Sequence, residues 1–223
     1  MATCKWCGRS GWLLRVSVNG MCDTCEVTEI PMIVRQVQII QECQSAVESG
    51  KTFESRVEHC EEIIRIAEEL IPYELKGITV SDPSAADLKA GYEAQREKII
   101  TEHFEAEVQR ILARAKLMGS PKSMLTEATN ALLKIAEARN EHGVDDPVLD
   151  ESEHLVRSFI HETRLNGYLQ EAEKEEFKGN LGKALDQYQE ALFFLTTERV
   201  DSGLLREHTG RIESKIRELR GES

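Results

Sequence analysis

Four of the six cysteines of this 223-residue chain stand near its N-terminus as two CxxC pairs, in the stretch CKWCGRSGWLLRVSVNGMCDTC from Cys4 to Cys25. A CxxC turn presents two sulfurs on one side of a tight loop. Two such turns, brought together, offer four thiolates to one tetrahedral ion, the arrangement zinc prefers. The spacing here, C-x2-C-x14-C-x2-C, is close to the structural-zinc pattern with a long spacer. Two other chemistries use the same residues. Paired disulfides suit a secreted chain, but MATCKWCGRS has no apolar h-region, so no signal peptide is expected and the cytoplasm is the default compartment. A redox CxxC usually stands alone in a βαβ setting, which this sequence does not offer. Metal is the leading reading, with zinc as the natural ion and iron able to take its place in a recombinant preparation.

The residues between the cysteines must fold the second pair back onto the first. Gly8 follows Cys7 and lets the first knuckle take a positive φ. Residues 13–18, Leu-Leu-Arg-Val-Ser-Val, are β-rich and partly alternating, which predicts a strand. Asn19-Gly20 is a tight-turn signal. A helix is expected from about Ile30 or Pro31. The order knuckle, strand, turn, knuckle resembles the zinc-ribbon and treble-clef group of Cys4 zinc fingers over about residues 3–27. That resemblance implies Cys4, Cys7, Cys22 and Cys25 as the four ligands of one structural Zn2+. A ribbon usually has glycine after its second CxxC, whereas Glu26 follows Cys25. A treble clef instead sets its second pair at the start of a helix. Both forms stay open on the sequence. Four thiolates close the coordination sphere, leaving no position for water or substrate. A module this small cannot bury a core, so the metal would supply its folding free energy, on the order of 10 kcal/mol. Trp6 and Trp12, the chain's two tryptophans, lie inside it. They either fill the small core and pack the module onto the helices, or form an aromatic docking face.

Beyond Glu29 the sequence is punctuated as a helical array. Gly50, Gly119, Gly143 and Gly179 sit where C-caps belong. Asp82-Pro83, Ser120-Pro121 and Asp146-Pro147 read as an N-cap followed by an N1 proline, and Pro72 is expected to end its helix. Apolar residues step by three or four along each segment, as one helix face requires. The first stripe is Ile33, Val37, Ile40, Cys43 and Val47. The second is Phe53, Val57, Cys60, Ile64, Ala67 and Ile71, antiparallel to the first across Gly50. A long helix is expected over about 83–118, another over 121–141, and a third from Pro147 with a break or kink at Asn166-Gly167. Two more carry Leu185, Tyr188, Leu192 and Leu195, then Leu205, Ile212, Ile216 and Leu219. The fold class predicted is therefore mostly α: a small Cys4 β-knuckle module over residues 1–29, then an all-α domain of about seven helices in antiparallel hairpins over 30–223, with 73–82 as a candidate hinge.

Residues 165–198 resemble a tetratricopeptide (TPR) unit. Tyr168 and Ala172 take its first aromatic and small positions, Gly179 its turn, and Ala184, Tyr188 and Ala191 the positions of its second helix. Glu175 stands where the pattern has an aromatic, and Thr196 where it has proline. TPR arrays bind peptides and protein segments, so the resemblance implies protein interaction. The spacing of the glycine turns does not follow the 34-residue period of the repeat.

Outside the thiol clamp no catalytic constellation emerges. Cys43 and Cys60 fall on the apolar stripes, where buried small thiols are the default, although a second site with His59 is conceivable. His154 and His161 are seven residues apart, over 10 Å along a straight helix at about 1.5 Å per residue, too far to share an ion, and they do not match HExxH. The acidic runs at 58–62 and 171–176 read as solvated faces. Net charge is −12. Residues 1–27 carry +1 and the rest −13, which disfavours phosphate backbones and suits solubility or a basic partner. No apolar run approaches the roughly 18 residues of a spanning helix, so no membrane partner is expected. The function these features predict is a non-enzymatic, zinc-binding protein-interaction or adaptor protein. Nucleic-acid binding through the finger is the alternative, using Lys5, Arg9, Arg15 and tryptophans that could stack on bases.

Overall fold

The computed structural model of the chain describes residues 1–198 and 202–221. It is mostly α, as the stripes predict. Two short strands, β1 (Ala2–Thr3) and β2 (Ser10–Gly11), pair antiparallel with Ala2 opposite Gly11 and Thr3 opposite Ser10. Seven helices follow among the described residues: α1 (Asp23–Ser49), α2 (Phe53–Leu75), α3 (Ala85–Lys116), α4 (Pro121–His142), α5 (Pro147–Phe177), α6 (Leu181–Thr197) and α7 (Ser202–Arg220). The chain divides into two compact units, Met1–His103 and Phe104–Ser223.

In the first unit α1 and α2 form the hairpin expected across Gly50. Thr52 starts α2 by accepting from the Ser55 N–H at 3.3 Å, a cap the glycine and proline signals did not disclose. Ile33, Ile40, Cys43 and Val47 are buried on α1, while Val37 is half-buried. On α2 the buried line is Val57, Cys60, Ile63, Ala67 and Leu70, joined by Ile66 and Tyr73. Ile64 and Ile71, expected on this line, are only half-buried. Apolar residues at both 63 and 64 support two overlapping stripes, and periodicity alone does not choose between them.

Three boundaries differ from expectation. Helix α1 begins at Asp23, not near Ile30, and carries Pro31 inside it. Proline removes the hydrogen bond to the carbonyl four residues back, here that of Val27, and both residues lie on the exposed side. Pro72 does not end α2, which continues to Leu75. It falls so late in the helix that only one more turn follows. Helix α3 starts at Ala85, and Ser84, not Asp82, caps it by accepting from the Asp87 N–H at 3.1 Å.

In the second unit Ser120 and Asp146 cap α4 and α5 with proline at the next position, and Gly143 closes α4 in the left-handed conformation. Helix α5 runs unbroken through Asn166-Gly167. It turns at Gly179 into α6, and α6 packs on α7. Leu165, Ala172, Tyr188, Ala191, Leu195 and Ile212 are buried among these three helices. Complete burial of Ala172, Ala184 and Ala191 lets the helix backbones approach closely. Glu175 is also buried, and its carboxylate accepts from the Lys178 ammonium and the Asn180 side-chain amide. These donors hold its pKa below the usual carboxylate range, the Lys178 hydrogen bond foremost. With Thr196 in place of proline, α6 continues to Thr197.

Candidate metal centre

The four sulfurs of Cys4, Cys7, Cys22 and Cys25 all lie within 4.8 Å of one another. Cys7 Sγ and Cys22 Sγ are 3.9 Å apart. A tetrahedral ion with Zn–S bonds of about 2.3 Å places its sulfurs about 3.8 Å apart, so this separation is that of ligands sharing an ion. No cysteine is disulfide-bonded. The residues present fit one metal ion. Among the described residues no other group of histidines, cysteines and carboxylates does so.

Local backbone chemistry builds the cluster. The first knuckle closes with Gly8 N–H donating to the Cys4 carbonyl at 2.9 Å and Cys4 N–H to the Arg9 carbonyl at 2.8 Å. Gly8 has φ +72°, the left-handed turn expected of it. The 13–18 strand does not form. Only Val16 bridges antiparallel to Cys22, and Leu13 and Val18 stand exposed, because the regular pairing goes instead to β1 and β2. The return to Cys22 runs through a turn in which Gly20 N–H donates to the Ser17 carbonyl at 2.9 Å. Gly20 has φ +74°, the left-handed conformation that favours glycine, and a Cβ there would displace the Lys5 side chain that runs past it. Cys22 immediately precedes α1 and Cys25 lies on its first turn.

Burial pushes the Cys4 thiol up, but N–H donors from Cys7, Cys22 and Trp6 and the Cys7 thiol outweigh it, taking its pKa down to about 6. The Cys22 N–H reaches Cys4 Sγ at 3.3 Å. Cys25 is driven up to about 12, by desolvation and by its three sulfur neighbours. The Cys4 thiolate forms readily and Cys25 resists ionisation beside it. A divalent cation removes that conflict, because it is bound by the deprotonated forms.

Trp6 packs the N-terminal module onto α2, one of the roles the sequence left open for the two tryptophans, whereas Trp12 stands exposed. The Trp6 ring stacks on Tyr73 with centroids 4.1 Å apart and planes 7° apart. The Lys76 ammonium sits 3.9 Å from the Trp6 ring centre and donates to the Trp6 carbonyl at 2.8 Å. In the opposite direction, Lys5 extends past Gly20 and donates to the Gly77 carbonyl at 2.6 Å. Tyr73 donates to Glu29 on α1 at 2.6 Å, and burial followed by that carboxylate pushes its pKa up to about 12. About seventy residues separate the two sides of this clamp, so no local pattern could reveal it. Its one trace is a tryptophan lodged between two metal-spaced cysteines.

Among the described residues the other sequence candidates form no further group able to hold an ion. Cys43 and Cys60 are buried, and burial pushes both thiols up, as for inert core cysteines. His59 Nδ1 bonds the Ser55 carbonyl one turn back. His161 packs edge-on against Phe194, and burial pushes its pKa down. Comparison with protein-family models, with curated proteins and with solved structures yields no significant match.

Proposed function

We propose that the cluster holds one structural Zn2+ and that the protein is a non-catalytic interaction or adaptor protein, with a metal-folded finger clamped to an acidic helical scaffold. The observation that carries this reading is the sulfur cluster. Its four thiolates fill a tetrahedral sphere, so the ion organises the backbone and leaves no coordination position for a substrate. Cys4, Cys7, Cys22 and Cys25 are the ligands. Lys5 and Lys76 then transmit the finger's fold to α2. The α5–α6 hairpin supports the interaction role. Its Ala172, Ala184 and Ala191 are buried, in keeping with the small positions of the TPR resemblance, and the Glu175 network stands where that pattern has an aromatic. The same clamp weakens the nucleic-acid alternative. Lys5 is spent on Gly77 and Trp6 on Tyr73, leaving Arg9 and Arg15 as the finger's remaining cations beside a body of charge −13.

Elemental analysis of the purified chain tests the metal. About one zinc per chain is expected for a single Cys4 site, and metal-free protein with its thiols oxidised to disulfides overturns the reading. A pull-down with the wild type and with Cys4→Ser/Cys7→Ser tests the adaptor role. Partners specific to the wild type place recognition on the finger, partners common to both place it on the helices, and none in either case defeats the role.

A further inference from the structure

The first CxxC turn encloses Lys5 and Trp6, and both side chains are committed to the end of α2. Lys5 Nζ donates to the Gly77 carbonyl at 2.6 Å. The Trp6 ring stacks on Tyr73, and its carbonyl accepts from Lys76 at 2.8 Å. Lys5 also reaches the second knuckle, where its N–H donates to the Gly20 carbonyl at 2.8 Å. One short turn therefore carries Cys4 and Cys7, holds the backbone just before Cys22, and grips the end of α2.

That helix end is itself a closed motif. Gly77 lies at φ +74°. Its N–H donates to the Glu74 carbonyl at 2.8 Å, and the Ile78 N–H donates to the Tyr73 carbonyl at 3.0 Å. This is the paired closure that a left-handed glycine gives a helix C-terminus. Ile78 is buried. The Glu74 side chain accepts from the Ala85 N–H at 2.8 Å, where α3 starts. Tyr73 and Gly77 thus serve the finger and the α2–α3 link at once.

We propose that the sulfur cluster and the α2–α3 link are thermodynamically coupled, with Lys5, Trp6 and Lys76 as positioning residues for the metal. An unattached finger must lose chain entropy to gather its sulfurs about an ion. Contacts that hold the Cys4–Cys7 turn in place meet part of that cost before the ion arrives, as preorganisation does in any binding site. The coupling is reciprocal. Whatever factor docking on α2 adds to metal affinity, the metal adds to docking. Metal occupancy thereby sets the order of Gly77, Ile78 and the start of α3, none of which supplies a ligand. A finger that only rested on the helix would make its contacts outside the ligand turn, and its metal affinity would be indifferent to them.

Because the coupling presupposes the zinc reading, zinc content and zinc affinity are measured together on the full chain, the affinity by competition with a chromophoric chelator. Lys76→Met removes the ammonium at Trp6 and lies far along the chain from every clustered cysteine. It should weaken zinc binding about fivefold, with about one zinc per chain still bound at saturation. Lys76 is exposed, so circular dichroism should not change. Lys5→Met keeps the aliphatic chain past Gly20, removes the donor to Gly77, and should weaken binding to a similar extent. Lys76→Arg keeps a cation over the indole and should stay within about twofold of the wild type. In the converse direction, zinc removal should speed hydrogen exchange at Gly77, Ile78 and Ala85 by about fivefold or more, and Lys76→Met should shrink that response. Wild-type zinc affinity in both methionine variants overturns the coupling and leaves the zinc reading intact. So do link amides that ignore zinc removal. A wild type that takes up no zinc defeats both.

Discussion

In the N-terminal stretch 1–22 the buried residues are Cys4, Met21 and Cys22, two of them in the sulfur cluster. In the α5–α7 region, Leu165, Ala172, Tyr188, Ala191, Leu195 and Ile212 are buried together. One region is held through sulfur and a few N–H donors, the other through packed hydrocarbon. The two therefore depend on different conditions. The finger should respond to chelators and protons and be indifferent to cavities elsewhere, and the helices should behave the opposite way.

Removing the metal is the largest test of this contrast. Cys7→Ser, or a strong chelator, should cost the finger on the order of 10 kcal/mol. Hydrogen exchange should show the Lys5, Gly8 and Gly20 amides losing protection while those of α5 and α6 keep theirs. Equal loss in both regions would refute the contrast. Acid should act in the same way. The Cys4 thiol is depressed to about 6 in the folded finger, so its contribution is present above the ordinary thiol range and is lost as pH falls through about 6. Metal retention, followed by a zinc dye, should decline over that interval.

The converse change is Leu165→Ala. Leu165 is fully buried, and truncating such a side chain typically costs about 2–5 kcal/mol. Urea unfolding followed by circular dichroism should show that loss, with zinc content at the wild-type value. A fall in zinc content would mean that the two regions share one folding transition.

What the sequence disclosed follows the same contrast. Ligand spacing is local, so Cys4, Cys7, Cys22 and Cys25 could be named without a fold. Helix stripes and the caps at Ser120 and Asp146 are local too, and the mostly α class followed from them. Local signals failed where two patterns overlapped or where a neighbour overrode them. Ile63 and Ile64 both fit a stripe. The β-rich 13–18 segment found no partner strand and stayed exposed. Pro31 and Pro72 were absorbed by helices already supported on either side. Packing of a tryptophan onto the helices was legible, but its partners Tyr73, Lys76 and Gly77 were not, because they lie about seventy residues away. The YELKG stretch read as part of an irregular link holds three of its five members.

The clamp is also where the contrast is finest, because it joins the sulfur-clustered module to an apolar-held helix through a few ring and hydrogen-bond contacts. Trp6→Ala removes the stacking and the cation–π contact together, about 1–3 kcal/mol. It should loosen the finger from α2 without releasing zinc, since Trp6 is not a ligand. Tyr73→Phe is the smaller and sharper change. The ring remains to stack on Trp6, and only the hydrogen bond to Glu29 is lost, about 0.5–1.5 kcal/mol. Exchange at the Trp6 amide should rise slightly in Tyr73→Phe and strongly in Tyr73→Ala. The pH dependence separates the two parts of the Tyr73 contribution. Its folded pKa is raised to about 12, so the hydroxyl's contribution is complete below its ordinary pKa of about 10 and disappears as pH rises through about 12. At neutral pH wild type and Tyr73→Phe should therefore differ by a constant amount. A difference that varied between pH 6 and 8 would refute this account of the hydroxyl.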